Sequence, residues 1–422
     1  MGHLTEAAKK LYIYAFPLIV TEGTHRGADD KGFEHFRKFP DDREKRIVKL
    51  NMDTLYSLAW TQLANTPYLV HIPEIRERYY LFPVMDAYTN VVATFGTRTP
   101  EHAAGDYLLL LEGDPVPAGY EGYEIIRLPD SLNSILLRIE TRGSEDYPLV
   151  NRLQDSITIR PLYPERVQPV PAADGRTPSA FAEELDARDY FTLFAELAAH
   201  NPIRDPEYLN YAAALGITPG FDWDALTPEQ QKALEQGRRE ALALVVKNGR
   251  NPAYFKQKNG WTAILGGVGS YGTDYLQRAQ TAYSGWGANL IADSAYVTTY
   301  TDHDGGLLTN QHSYRLHIAP DGYPHAAVFW SLTLYGEPSR YPVPNPIDRF
   351  SVNTYDVESG RIKQNPDGSL DIFISAAAPA GETANWLPAP QEEEHFSLAI
   401  RIYWPDEQTI GGNWDPPTLE RI

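Results

Sequence analysis

The stretch from Phe329 to Arg349 constrains the fold most, and it opens as a strand. Val328, Trp330, Leu332 and Leu334 alternate with Phe329, Ser331, Thr333 and Tyr335, and both sets are largely apolar or β-prone. Such a run suits a strand buried on both faces, so layers are expected on either side of it. Gly336 and Pro338 end the strand, and Pro342, Pro344 and Pro346 hold the next segment extended without backbone donors. Read plainly, this is a core strand with a proline-stiffened connection. Read for function, the stiff loop is one wall of a pocket and presents Arg340, Tyr341, Asn345, Asp348 and Arg349.

The rest of the chain divides around that strand. Ala8, Leu11, Tyr12, Ala15, Phe16 and Ile19 recur at helical spacing, which predicts a helix over Thr5 to Val20 that Pro17 kinks or ends. Asn51 to Trp60, Tyr79 to Thr94, Tyr107 to Leu111, Glu124 to Leu128 and Ser134 to Glu140 read as short strands. A proline-rich stretch, 161–178, reads as a linker. Ser179 to Gly249 then reads as a helical block, with a capping box at Thr227-Pro228-Glu229-Gln230 and a stop at Asn248-Gly249. Tyr275 to Ala292 is expected as a further helix weakened by Gly285 and Gly287. From Ala295 the strands return: Ser313 to Ile318, Ala326 to Leu334, Arg349 to Tyr355, Leu370 to Ser375 and Phe396 to Tyr403. Asp304-Gly305, Asp321-Gly322, Ser359-Gly360 and Asp367-Gly368 punctuate them. The expected fold is α+β and mostly β. It has a β-rich front module (1–165), a helical middle segment (166–294) and an antiparallel jelly roll or sandwich behind (295–422).

Net charge of -19 disfavours a nucleic-acid partner. With 0 cysteines, disulfides and thiolate chemistry are excluded. No apolar run approaches the roughly 20 residues of a membrane span. The opening MGHLTEAAKK lacks a basic region followed by an apolar one, so the chain reads as cytoplasmic as it stands, or as exported if a signal has been removed.

Few motifs carry chemistry. His303, His312, His317 and His325 fall in one region, but their spacing forms no known metal motif; a divalent metal there is the lesser reading. Asp302-His303-Asp304-Gly305 lacks the later acidic positions of a calcium loop. Gly269-Ser270-Tyr271-Gly272 is one residue off a nucleophile elbow, and neither dinucleotide nor P-loop glycines are present, so no redox or nucleotide cofactor is expected. Tyr, Arg, Asn and Asp remain. Asn51, Asp53 and Tyr56 lie close together, Arg98 follows the Asp86, Tyr88, Asn90 strand face, and Tyr275 and Arg278 share a helix face. A neighbouring arginine favours a phenolate, so Tyr275 is expected to have a lowered pKa.

At these residues the chain resembles a bacterial two-part family, a domain of unknown function numbered twelve-fifty-four followed by one numbered twelve-fourteen. In front the resemblance rests on LYIYAFPLIV (11–20), NMDTLYS (51–57) and Arg78 to Arg98 around DAYTN (86–90). Behind, it rests on GTDYLQRA (272–279), Phe329 to Arg349, DGSL (367–370), NWLPAP (385–390) and RIYWP (401–405). It implies a β-rich front module, a helical segment and a rear jelly roll; many members look exported. It supplies no catalytic residues.

These motifs are rich in Asn, Asp, Tyr, Arg and Trp, which a plain core does not need. The expectation is that they converge in a cleft between front and rear modules. A small polar or aromatic ligand would meet Tyr56, Tyr275, Arg278 and Asp53 as the reacting groups, in hydrolase- or lyase-type chemistry. Asn51, Arg98, Trp330, Tyr335, Asn345, Arg349 and Trp386 would hold it, with Arg278 and Arg349 on an anion and Trp330 and Trp386 stacked on a ring. The alternative is a non-catalytic ligand-binding or envelope-associated assembly protein, with the aromatics in homo-oligomer contacts.

Overall fold

The computed structural model describes residues 2–40, 49–76, 78–100, 103–247, 254–381, 383–392 and 394–422. The Asn248-Gly249 stop lies outside them.

Helix α1 (Gly2–His25) is buried on nearly every side from Ala7 onward and passes straight through Pro17. Proline removes one backbone bond, but a helix held by packing on all sides tolerates the loss. The next elements are β1 (Glu34–His35), β2 (Thr54–Gln62), β3 (Tyr68–Ile72), β4 (Tyr80–Met85), β5 (Val91–Gly96), β6 (Gly105–Leu111), β7 (Glu124–Leu128), β8 (Leu132–Glu140), α2 (Tyr147–Ser156) and β9 (Thr158–Pro161). Where one strand was expected over 79–94, the Asp86 carboxylate turns the chain by accepting from the Tyr88 and Asn90 amides, giving a β4–β5 hairpin. The strands form two sheets, β1-β2-β8-β4-β5 and β7-β6-β3-β9. Their shared core holds Leu55, Ala59, Phe82, Ile135 and Leu137 against Val70, Tyr107 and Leu109.

The middle segment supplies α3 (Pro178–Glu184), α4 (Ala187–Ala198), α5 (Pro206–Ala214), α6 (Pro228–Lys247), β10 (Phe255–Lys258), β11 (Trp261–Ile264) and α7 (Tyr275–Gly285). Helices α3, α5, α6 and α7 surround α1, so the leading helix packs with the middle block. That helical layer covers part of the second face of the five-stranded sheet, through Leu58, Trp60 and Leu136. Strands β10 and β11 join the rear module.

Behind lie β12 (Ser294–Thr299), β13 (Tyr314–Ile318), β14 (Ala326–Glu337), β15 (Ser351–Asn353), α8 (Thr354–Glu358), β16 (Leu370–Ser375), β17 (Trp386–Pro388), β18 (His395–Pro405), α9 (Glu407–Ile410) and β19 (Thr418–Arg421). The expected strand over 349–355 is cut short because Asn353 and Asp356 form a reciprocal cap that starts α8. A six-stranded sheet, β10-β11-β12-β18-β14-β15, packs on a four-stranded one, β17-β16-β13-β19. Trp330, Leu332 and Leu334 of β14 face this rear core. The other parity of β14, Phe329, Ser331, Thr333 and Tyr335, is equally buried, against the front module. The two-faced run thus lies between sandwich core and module junction. No helix among the described residues is long and apolar enough to cross a membrane.

Candidate functional site

Two sheet faces meet at the junction. On the front sheet Tyr56 of β2, Arg138 of β8 and Leu81 of β4 are directly in register and form one row. On the rear sheet Tyr296 of β12, Arg401 of β18 and Ser331 of β14 form another, flanked by Thr298 with Ala399 and by Tyr403 with Phe329. Between these faces lies a cavity of about 280 Å³, closed at one side by Gln277, Thr281, Ser284 and Trp286 at and beyond α7.

Four cations line it, Lys49, Arg138, Arg340 and Arg401, and among the described residues no carboxylate does. Arg138 and Arg401 are buried. Backbone and amide oxygens hold both: Arg138 donates to Gly287 O (2.6 Å) and Asn289 Oδ1, Arg401 to Lys49 O (2.6 Å). Among the described residues no carboxylate comes within 4.0 Å of Arg138, Arg340 or Arg401; Lys49 alone has one, Glu337 at 3.4 Å. Buried cations held only by neutral acceptors leave a positive potential in the space they face. Leu50, Leu136, Phe255, Ile264, Val268 and Trp286 supply the apolar part of the wall.

The Asn51 amide is fully engaged. Its Oδ1 accepts from the Asp53 and Thr54 amides, and its Nδ2 donates to Tyr56 Oη at 2.6 Å. The Tyr56 ring lies 5.3 Å from the Arg138 guanidinium, and its hydroxyl donates to no described residue. Behind the wall, Asp53 Oδ2 accepts from Ser331 Oγ (2.6 Å) and from Tyr403 Oη (3.0 Å). Burial pushes the Asp53 carboxyl above the ordinary carboxylate range, against the Ser331 hydrogen bond, the Arg401 charge and the Tyr403 hydrogen bond. Tyr335 Oη donates to Leu50 O at 2.6 Å. The stretch 49–56 is therefore fastened to β14 and β18 as well as to its own sheet.

Of the residues singled out from sequence, Asn51 and Tyr56 line the junction cavity, while Asp53 and Tyr335 support it from behind. Arg98 also spans the modules, in an ion pair with Asp293, but away from the cavity. The others do not join them. Trp330 packs in the rear core, and Trp386 Nε1 donates to Ser375 O at 2.9 Å. Arg349 donates to Ala384 O (2.7 Å) and Trp386 O (2.8 Å), and Asn345 closes its own loop onto Arg349. Tyr275 and Arg278 line a separate, open hollow near α5, where Arg278 sits 4.8 Å from the rings of both Tyr14 and Tyr275. The expected lowering at Tyr275 is overturned. Burial and the 2.6 Å bond to the Asp205 carboxylate raise its pKa, and the Arg278 charge is the weakest influence.

The histidines disperse: His317 pairs with Asp371 (2.8 Å) and His325 with Asp406 (3.0 Å). Among the described residues no three His, Asp or Glu side chains converge on a metal-sized space.

Arg138, Arg401, Tyr296 and Asn289 were missed as site residues. The signal was present but shared with any surface strand: SILLRIE and SLAIRIYW each set one arginine inside a largely apolar run. An unexplained charge at such a position has to face something polar.

Two interlocked β sandwiches with a helical layer, meeting at a cation-lined cavity, define the class. Residues 31–161 match the model described as a protein of unknown function, DUF1254, and residues 293–407 match a second, DUF1214. The chain belongs to the family that joins these two domains in that order. Its structure is similar to the crystal structure of the VPA0106 protein from Vibrio parahaemolyticus. That match has 22% identity and a TM-score of 0.68, and it covers 99% of this chain and 100% of that one. This likeness is one of fold. An uncharacterized protein from Burkholderia cenocepacia matches with 12% identity over 99% of this chain and 93% of its own, at a TM-score of 0.45. No curated protein matches the chain.

Proposed function

We propose that the junction cavity binds a small organic anion with an apolar or aromatic body. The observation that carries this reading is the lining: four cations and, among the described residues, no carboxylate, in a chain whose net charge is -19. Arg138 and Arg401 meet the acid group, and Phe255, Trp286 and the aliphatic side chains cover the rest. The Tyr56 hydroxyl, fixed by Asn51 and with no acceptor for its proton among the described residues, is the group placed to give or take a proton if the ligand is turned over. That would be hydrolase- or lyase-type chemistry run by a phenol beside two guanidinium groups.

Calorimetric titration with benzoate and its neutral isostere benzamide tests the reading. Benzoate is expected to bind at least tenfold tighter, and its advantage is expected to shrink as salt rises. Equal binding of the two, or binding of neither, would remove the proposal. If an acid of this kind is consumed, Tyr56→Phe is expected to lower its turnover by two orders of magnitude or more.

A further inference from the structure

We infer that the ligand is elongated, with its acid end in the junction cavity and an uncharged tail in a second hollow beyond Arg340. This rests on the anion reading above and names the shape and class of molecule it takes.

The second hollow, about 230 Å³, lies between α1, α3 and α7 and the proline-stiffened loop; Val20, Thr24, Ser179, Ala282, Tyr283 and Tyr341 line it. It shares two wall residues with the junction cavity, Trp286 and Arg340. Trp286 is fixed: its Nε1 donates to Thr21 Oγ1 at 3.1 Å, and its ring stacks on Trp60 at 5.7 Å. Arg340 is fixed only at its base. Its amide donates to Gly336 O (2.8 Å), and its carbonyl accepts from the Lys49 amide (3.1 Å). The guanidinium itself has no hydrogen bond, ion pair or ring contact among the described residues, and the side chain is half-buried.

One side of the shared wall is therefore rigid, and the other is a long side chain whose tip can reorient on the picosecond-to-nanosecond scale. When Arg340 swings aside, the two hollows become one passage. The two ends differ in chemistry. Arg138, Arg401 and Lys49 belong to the inner hollow alone, and among the described residues Arg340 is the sole charged one lining the outer hollow. The acid end is thus held inside, and the part that passes Arg340 is neutral. Size agrees: 280 Å³ falls below the roughly 300–1,000 Å³ of ordinary ligand pockets, whereas the two hollows joined fall within it. The class is a carboxylate, or an acid of similar size, on a short ring or chain that continues into a neutral tail.

Titration of the full chain with benzoate and its 4-ethoxy, 4-butoxy and 4-hexyloxy derivatives tests this. Affinity is expected to rise about threefold to fourfold for each added methylene until the outer hollow is full, then to level off. Ser179→Phe fills that hollow from α3, and this variant is expected to bind long and short acids alike. Thr24→Phe fills it from α1 and gives the same outcome should the first variant fail to fold. A parent chain that binds benzoate but gains nothing with tail length overturns the inference and leaves the anion reading standing. So does a gain that survives both fillings. If no acid of the series binds, both fall together.

Discussion

Single residues carry most of the electrostatic design, and His25 shows how. Its Nε2 lies 2.8 Å and 2.9 Å from the two Asp30 oxygens, and its Nδ1 lies 3.8 Å from Glu22. Burial alone would lower its pKa, but the hydrogen bonds and charges of Asp30 and Glu22 together outweigh burial and raise it to about 9. A raised folded-state pKa stabilises the fold fully below the unfolded value of about 6.5 and loses that contribution as pH climbs through about 9. The contribution at stake is on the order of 3 kcal/mol. Urea unfolding between pH 6 and 9.5 is expected to show stability falling across that window, with the slope removed in His25→Gln. At this scale the sequence was only partly legible. Asn51 and Tyr56 stood out because NMDTLYS puts polar groups where a buried strand wants none. Arg138 and Arg401 did not, because one arginine in a strand reads equally well as a surface position. Only the register of Tyr56 with Arg138 and of Tyr296 with Arg401 reveals the shared space.

Between elements, α6 and α1 approach closely. A Cβ added at Gly237 would lie 2.6 Å from both Ala8 Cβ and Lys9 N. Alanine is the better helix former by about 1 kcal/mol, so on propensity alone Gly237→Ala would stabilise. The backbone of α1 cannot give way by that much, and the clash prevails. A net loss of about 1–3 kcal/mol is expected from urea unfolding, and a gain would show that the two helices are not held at this spacing. Helix and strand identities were largely readable here, since β14 and α6 follow their apolar periods closely. What α1 packs against was not, because a helix apolar on all sides records that it is buried and says nothing of its neighbours. The same holds for β11, a short strand whose partner β12 lies beyond an intervening helix.

On the scale of the whole molecule, front and rear modules are not independent bodies. The outward parity of β14 and β18 is covered by the front module, and Tyr79, Leu81, Phe329 and Tyr403 form a small core of their own across the junction. Neither sandwich has a finished surface without the other, so calorimetry is expected to record one cooperative transition. Two resolved transitions would show that the junction is a weak contact between separately stable units. The expected cleft between modules followed from motif chemistry, but which residues reach it depends on how two sheets face one another, and local sequence patterns do not encode that.

The stretch 49–56 also has a consequence for how the protein is made. A ribosome emits its residues early, yet Tyr403, which bonds Asp53, follows 350 positions later. At about 5–20 residues per second the interval is on the order of tens of seconds. Throughout it, a carboxylate and a tyrosine destined for the interior wait in water beside bare hydrophobic strands. The junction cavity thus cannot close until β18 has emerged, long after the first of its walls has been made.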